Sequence, residues 1–202
     1  MRKRREWYPG ACYHIMARGN RRSAIFREEE DHRLFMRLLQ ETGRKYRYDL
    51  HAYCLMTNHF HLELTTYSDP IWIIMKKIMH QYAMIFNRRY GLEGHLFDSR
   101  YTSCLVGDDR YFLEVSRYIH LNPVKARMVR EPLDYHPSSY GDYVTDKKGI
   151  AGDLLDKTRV LSLFGGDPRE QYRMFVEGKI SHAEQEMLIM KDMGENELWL
   201  PW

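Results

Sequence analysis

The sequence has few cysteines and no long hydrophobic run. Its three cysteines, Cys12, Cys54 and Cys104, are widely spaced, which argues against a disulfide framework and against a cysteine-ligated metal. The longest apolar run, residues 71–75, is far shorter than the roughly 20 residues of a membrane-spanning helix. No hydrophobic segment follows the basic start of the chain, so no signal peptide is indicated. We therefore expect a cytoplasmic protein with reduced thiols and no membrane partner.

Charge is distributed unevenly along the 202 residues. Residues 1–140 have 23 Lys and Arg against 16 Asp and Glu, a net charge of +7, whereas residues 141–202 have 8 against 12, a net charge of −4. Basic clusters in the first part lie among aromatic residues, a pattern that is typical of nucleic-acid-binding proteins. The solvated face of a mildly basic enzyme would give the same pattern.

Hydrophobic periodicity predicts an α+β fold. The predicted strands are 12–19, 49–56, 59–65 and 101–107, and the predicted helices are 28–46, 70–90 and 109–121. Asp69 and Asp108 are the predicted helix N-caps, and Gly91 is a predicted C-terminal stop. The first six elements give the βαββαβ order of a ferredoxin-like sandwich, which has one antiparallel sheet with two helices on one face.

The signals weaken after Pro123, and the sign of the charge changes near residue 141. We therefore predict one domain over residues 1–140 and a small, mainly helical extension over residues 141–202. Residues 136–143 are predicted to form a surface loop, and helices are expected at 153–164 and 167–190.

Two histidines lie on one predicted strand, in the stretch TNHFHLEL of residues 57–64. Alternation places His59, His61 and Glu63 on the sheet face that the two helices leave open. Two neutral imidazoles side by side are suitable ligands for a metal ion. A pair of exposed surface histidines would produce the same motif.

The last predicted core helix contains RYIHLNPV, residues 117–124. Tyr118 and Asn122 are four residues apart and therefore lie on the same side of this helix. If the helix crosses the open face of the sheet, it brings a phenol and an amide oxygen close to the two histidines. Asn122 could instead be the N-cap of a new helix that begins at Pro123.

Four segments together resemble a known family. They are YHIMARGNRRSAIF (13–26), HAYCLMTNHFHLEL (51–64), FNRRYGLEGHLFDSRY (86–101) and YIHLNPVKARMV (118–129). In this order and spacing, which covers about the first 140 residues, the chain resembles the single-tyrosine HUH transposases. It is most similar to their REP-associated tyrosine transposase branch.

The resemblance implies a site and a reaction. It makes His59, His61 and Asn122 ligands of a divalent metal, Mg²⁺ or Mn²⁺, and it makes Tyr118 the nucleophile. Tyr118 would nick single-stranded DNA at hairpins through a 5′-phosphotyrosine and then transfer the strand, which is the chemistry of DNA transposition. Glu63 could be a fourth ligand or an outward-facing substitution. Tyr82, on the preceding helix, is the best rival of Tyr118.

The resemblance also implies that basic segments bind the DNA hairpin through its phosphates. The residues that we expect to do so are Arg2, Lys3, Arg4, Arg5, Arg18, Arg21 and Arg22. The protein would act as a monomer or a homodimer. The alternative functions are a hairpin-binding protein without catalysis, a hydrolase that uses water with Glu63, and a relaxase of the same class.

Overall fold

The computed structural model describes residues 6–178. Its strands are β1 (Cys12–Arg18), β2 (Tyr48–Met56), β3 (His59–Thr66) and β4 (Thr102–Val106). Its helices are α1 (Glu29–Lys45), α2 (Ile71–Tyr90), α3 (Asp109–Lys125), α4 (Tyr140–Val144), α5 (Thr158–Ser162) and α6 (Pro168–Glu177). None of the helices within residues 6–178 is long and apolar enough to cross a membrane.

The four strands form one antiparallel sheet in the order β2-β3-β1-β4. Strands β2 and β3 are joined by the two-residue turn Thr57-Asn58, as the sequence predicts. Strand order and direction are those of a ferredoxin-like sandwich, so the predicted fold class is confirmed.

Helices α1 and α2 cover one face of the sheet. Phe60 of β3 packs against Phe35 of α1, with ring centroids 4.7 Å apart, and Phe35 packs in turn against Tyr82 of α2. All three side chains are buried. The alternation of β3 therefore places Phe60, Leu62 and Leu64 in this core, and it directs His59, His61 and Glu63 to the opposite face.

The opposite face, which α1 and α2 leave open, is covered by later helices. Helix α3 packs across β2 and β3, and α4 and α6 pack against one another and on α3. Glu63 is completely buried beneath these elements, so its interpretation as an outward-facing residue is wrong. The helices that cover this face come from the part of the chain where the sequence signals were weakest.

Two of the three residues predicted to cap or end a helix do so. The Asp108 side chain accepts a hydrogen bond from the Tyr111 N–H and caps α3, and Gly91 ends α2 with a left-handed φ of 59°. The predicted cap Asp69 is wrong, because Pro70 occupies the N-cap position of α2 in an extended conformation.

Helix α3 continues four residues beyond its predicted end. It runs through Pro123 to Lys125, and the Asn122 side chain donates a hydrogen bond to the Tyr118 carbonyl within the same helix. Asn122 therefore does not cap a new helix, and that alternative is wrong. Proline is tolerated here because it lies in the last turn, where one missing backbone hydrogen bond has little effect on the helix.

The segment after α3 is more closely packed than predicted. Residues 136–143 are not a surface loop, because Ser139, Tyr140 and Tyr143 are all fully buried. Residues 153–164 are not one helix but a 3₁₀ turn followed by the short α5. The predicted helix 167–190 corresponds to α6 as far as Glu177, and its remainder from residue 179 lies outside the described residues. The boundary between residues 140 and 141 stays a prediction.

Candidate metal and nucleophile site

The two predicted metal ligands lie side by side on β3. Their ring centroids are 5.1 Å apart, and the rings are nearly perpendicular. Nδ1 of His59 is 2.7 Å from Oδ1 of Asn58, and Nδ1 of His61 is 3.0 Å from Nε2 of His14 on β1. The amide oxygen can only accept, so Nδ1 of His59 carries the proton and its Nε2 has a lone pair. Such a second hydrogen bond is the usual way in which a protein orients a histidine ligand.

Burial keeps both imidazoles uncharged. Burial lowers the pKa of His59, a hydrogen bond with Asn122 partly offsets this effect, and the nearby Arg18 charge lowers the pKa a little more, so that it is about 4. Burial also places the pKa of His61 well below its usual value, with smaller contributions from the charges of His59, His14 and Lys125. At neutral pH the lone pairs needed for metal binding are therefore not blocked by protonation.

Tyr118 packs against the histidines from α3. Its ring meets the His61 ring edge-on at a centroid distance of 5.5 Å and the His14 ring at 5.7 Å. Nζ of Lys125 lies 4.6 Å from the centroid of the Tyr118 ring. The phenol is thus held between two imidazoles and an ammonium group, which attracts the negative charge that develops on a phenol oxygen.

Asn122 completes the group of predicted residues. It is buried one helical turn after Tyr118, and its side chain is close enough to His59 for the hydrogen bond that raises the histidine pKa. Helix α3 therefore brings Tyr118 and Asn122 to β3, where His59 and His61 lie. These four predicted residues are together in the structure.

The donor set fits a divalent metal ion. His59 and His61 offer imidazole nitrogens, and Asn122 offers an amide oxygen, a mixture that suits Mn²⁺ and leaves Mg²⁺ possible if oxygen ligands from DNA or water complete the shell. Within residues 6–178, no group of three or more His, Cys, Asp and Glu side chains is arranged to hold a metal ion. The structure therefore gives no support to Glu63 as a further ligand beside the two histidines.

A basic loop lies next to this site. Arg18 ends β1 directly opposite His59 in the sheet register, and Arg21 and Arg22 follow in the exposed loop after it. Arg18 forms an ion pair with Asp98, whereas Arg21 and Arg22 lie in an exposed 3₁₀ turn. The predicted DNA-binding residues 18, 21 and 22 are therefore close to the candidate ligands. Arg2, Lys3, Arg4 and Arg5 lie outside the described residues.

The backbone holds the basic loop in an unusual conformation. Arg21 and Arg22 have φ values of 53° and 59°, in the left-handed region that costs a side-chain-bearing residue about 1 kcal/mol or more. The Asn58 side chain donates to the Arg22 carbonyl, and the Gly19 N–H donates to the Asn58 carbonyl. A Cβ at Gly19 would lie 2.1 Å from the Ser23 carbonyl oxygen, so only glycine fits there. The loop is thus attached to the same turn that precedes His59.

Other candidate residues are outside the site. Tyr82 is buried on the opposite face of the sheet, where its hydroxyl donates to the Ile25 carbonyl. His120 points away from Tyr118 and is hydrogen-bonded to Ser139 and Tyr172 in the interior. The rival of Tyr118 therefore has no access to the histidine pair, and the hydrogen bonds of His120 give it a structural role.

Sequence reasoning missed two residues of the site, His14 and Lys125. Both lie inside the segments that carried the family resemblance. The alternation of β1 places His14 on the histidine face, and Lys125 is seven residues after Tyr118, two turns along the same side of α3. Strand pairing and the true end of α3 were needed to recognise them, and neither could be determined from periodicity alone.

Comparisons with known proteins identify a family and a similar fold. The family model described as "Transposase IS200 like" matches residues 8–122, more than half of the chain. No curated protein matches. A solved REP-associated tyrosine transposase bound to a REP hairpin is similar in fold, with a TM-score of 0.63 and 21% identity over 79% of this chain and 96% of that one. A crystal structure described as "a putative transposase from Deinococcus radiodurans R1" is 19% identical, with a TM-score of 0.42 over 59% of this chain and 95% of that one.

The family model spans every strand of the sheet, the histidine pair, Tyr118 and Asn122. The chain therefore belongs to the IS200-like transposase family.

Proposed function

We propose that this transposase nicks and rejoins single-stranded DNA at hairpin-forming, REP-like sequences through a covalent link to Tyr118. The observation that carries the proposal is the packing of Tyr118 against His61, with Asn122 beside His59, on one face of the sheet. Residues from β3 and α3 thus provide a nucleophile and a metal-binding donor set in a single location. Family membership makes DNA strand transfer the chemistry to test.

The reaction that we propose is a transesterification. The Tyr118 hydroxyl oxygen forms a bond to the scissile phosphorus, and the bond between phosphorus and the 3′ oxygen breaks. The phenol proton ends on that oxygen, which leaves a 3′-hydroxyl and a 5′-phosphotyrosine. Since one phosphodiester replaces another, a 3′-hydroxyl from a second strand reverses the step without any nucleoside triphosphate.

The side chains around Tyr118 have distinct parts in this proposal. His59, His61 and Asn122 would hold a divalent ion, which supplies Lewis-acid polarisation of the scissile phosphate when bound. Lys125 lies over the Tyr118 ring and offsets the negative charge that develops on the phenol oxygen during attack. Packing by His61 and His14 fixes the direction of the ring and reduces the entropy lost on reaching the reactive geometry.

The DNA partner is proposed from charge and from the structural neighbour. The neighbour of TM-score 0.63 is bound to a REP hairpin, and we extend a hairpin ligand to this chain as part of the proposal. Arg18, Arg21 and Arg22 lie beside the histidine turn and would bind phosphates adjacent to the cleaved bond. The N-terminal residues Arg2, Lys3, Arg4 and Arg5 are proposed as further phosphate contacts.

A covalent trapping experiment tests this function. The protein is incubated with Mn²⁺ or Mg²⁺ and a labelled single-stranded hairpin oligonucleotide, and the products are separated under denaturing conditions. We expect a band that carries both protein and DNA, absent in EDTA, and a nucleotide on the tryptic peptide that contains Tyr118. Cleavage without such a band would favour a hydrolase that uses water, and binding without cleavage would favour a non-catalytic hairpin-binding protein.

A further inference from the structure

We propose that His14 is a positioning residue for the metal site, because it accepts a hydrogen bond from Nδ1–H of His61 and so keeps Nε2 of His61 unprotonated. This inference rests on the proposed function, in which His61 is a metal ligand. His14 is completely buried on β1, and its Nε2 is 3.0 Å from Nδ1 of His61. The two rings are stacked with centroids 5.3 Å apart, which fixes their relative orientation.

The chemistry of two neutral imidazoles allows only two arrangements of this bond. If Nε2 of His14 donates, the single proton of His61 is on Nε2, and this nitrogen has no lone pair for a metal ion. If Nδ1 of His61 donates, Nε2 of His61 has its lone pair in the ring plane. Only the second arrangement makes His61 a ligand, so the direction of one hydrogen bond determines whether the site can form.

Glu63 supplies the other end of this chain of contacts. In the second arrangement the proton of His14 is on Nδ1, and this atom has no hydrogen-bond partner within residues 6–178. The same is true of both carboxyl oxygens of Glu63, which is completely buried. Glu63 is the direct cross-strand neighbour of His14 in the β1–β3 register, so the two side chains lie on the same face.

Buried polar groups rarely remain unpaired. In the proposed arrangement, Nδ1–H of His14 donates to a carboxyl oxygen of Glu63, either after a small side-chain rotation or through one bridging water molecule. We therefore assign the carbonyl oxygen of the Glu63 carboxyl group as the acceptor that holds His14 in the tautomer needed by His61. A hydrogen-bond acceptor behind a histidine orients metal ligands in this way, and here a second histidine is inserted between the carboxyl group and the ligand. This role accounts for a buried carboxyl group that the metal site itself does not use.

The first measurement is the tautomer of each ring in the metal-free protein. Two-bond ¹H–¹⁵N correlation spectra distinguish protonated from unprotonated imidazole nitrogens, and variants of His14 and His61 assign the signals. We expect His61 and His14 both to carry the proton on Nδ1. A proton on Nε2 of His61 in the wild-type protein at neutral pH would overturn the inference.

The second measurement is the affinity for Mn²⁺ alone, by calorimetry or by the electron paramagnetic resonance signal of free Mn²⁺. His14→Met removes the acceptor, and we expect the affinity to fall by about 10–100-fold. His14→Gln offers a carbonyl oxygen at a similar reach and should restore most of the affinity. Glu63→Met should weaken binding in the same direction as His14→Met.

His51→Met is the matched control. His51 is also buried in the sheet, but its Nε2 pairs with Thr65 and not with the candidate ligands. We expect this variant to bind Mn²⁺ as the wild type does, even where its thermal stability decreases. Equal Mn²⁺ affinity of the wild type and His14→Met would refute the positioning role alone. No Mn²⁺ binding by the folded wild-type protein would instead refute the proposed metal site and this inference with it.

Discussion

The ring of Tyr118 on α3 meets the imidazole of His61 on β3 edge-on, with the ring centroids 5.5 Å apart. Neither residue is near the other in sequence, so the contact depends on how α3 crosses the sheet. Because α3 lies on the face opposite to α1 and α2, the contact places the only tyrosine of α3's last two turns beside the histidine pair. The packing of α3 on the sheet therefore determines which tyrosine is close to the candidate ligands.

Removing the phenol oxygen of Tyr118 should stop the chemistry and leave the fold intact. Tyr118→Phe retains the ring that packs on His61, so the free energy of unfolding should change by about 1 kcal/mol or less. Mn²⁺ affinity and hairpin affinity should remain at wild-type values, while the protein–DNA adduct disappears. Denaturing gels and a urea unfolding curve measure the two effects.

Tyr82→Phe is the control for that experiment. It removes a buried hydroxyl that donates to the Ile25 carbonyl, at a cost of about 1 kcal/mol or more. It should nevertheless form the adduct at the wild-type rate. An adduct retained by Tyr118→Phe and absent in Tyr82→Phe would show that the nucleophile had been assigned to the wrong helix.

The histidine pair should be needed for cleavage but not for hairpin binding. His59→Ala, and separately His61→Ala, should lower the cleavage rate by at least about 100-fold, because either change removes one of the side chains that would hold the divalent ion, which would polarise the scissile phosphate. Hairpin affinity should change less than about threefold, since phosphate contacts elsewhere provide most of the binding free energy. His80→Ala, which changes an exposed histidine of α2, is the control and should leave both quantities unaltered.

The sequence was sufficient to predict the sheet and the four residues now found together, for identifiable reasons. Strand alternation separated Phe60 from His61, and the four-residue spacing put Tyr118 and Asn122 on one side of a helix. These are local rules with short periods. These rules apply because the core excludes polar groups from one face of each strand or helix, and this exclusion does not depend on distant parts of the chain.

The burial of the histidine face could not be predicted in the same way. Residues 136–143 have the polar composition of a turn. Ser139 is nevertheless buried, because it forms hydrogen bonds both with His120 and with the β2 backbone at Tyr53. Such long-range pairing satisfies polar groups in the interior and leaves no periodic signature. For the same reason Glu63 seemed suited to an exposed position, although α3 and the helices after it cover it.

Lys125 should accelerate cleavage through its charge. Lys125→Met removes the ammonium group over the Tyr118 ring, and we expect the rate of adduct formation to fall by about 10–100-fold with little change in hairpin affinity. Lys125→Arg should retain a larger part of the rate, because a cation remains. Single-turnover kinetics at saturating DNA separate the rate from the affinity.

Lys77→Met is the matched control for the lysine. Lys77 also lies over an aromatic ring, that of Tyr46, at 5.7 Å from the centroid. It is on α2, on the other side of the sheet from Tyr118. Its substitution should leave the cleavage rate unchanged, and an equal decrease of rate in both lysine variants would mean that general charge, and not the contact with Tyr118, is responsible.

The basic loop should contribute to DNA affinity in a salt-dependent manner. For the double variant Arg21→Gln, Arg22→Gln, we expect the slope of log affinity against log salt to become shallower by about 0.7–0.9 for each phosphate that the protein no longer neutralises. Fluorescence anisotropy with a hairpin oligonucleotide at several salt concentrations measures this slope. Arg33→Gln, on α1 and ion-paired with Glu29, is the control and should retain the wild-type slope. A wild-type slope in the loop variant would place the DNA elsewhere on the surface.

The buried His120 should make the folded protein less stable in acid. Burial lowers its pKa from 6.5 to about 3, so between these values the unfolded chain binds a proton that the folded protein does not. Above about pH 6.5 this group therefore does not lower the free energy of unfolding. As the pH falls below that value, the free energy of unfolding decreases by about 1.4 kcal/mol per pH unit. Glu63 has the opposite effect on the free energy of unfolding above pH 4.5. Burial raises its pKa well above the usual value, so the folded protein retains a proton that the unfolded chain releases.

The effect of His120 is therefore measured as a difference in the free energy of unfolding between the wild type and His120→Gln. The variant has no titrating group at this position, and Glu63 contributes equally to both proteins. From urea unfolding at pH 6 and pH 5, we expect the free energy of unfolding of the wild type to decrease by about 1 kcal/mol more than that of the variant. Equal decreases would mean that His120 is protonated in the folded state, and that its bonds to Ser139 and Tyr172 do not keep it neutral.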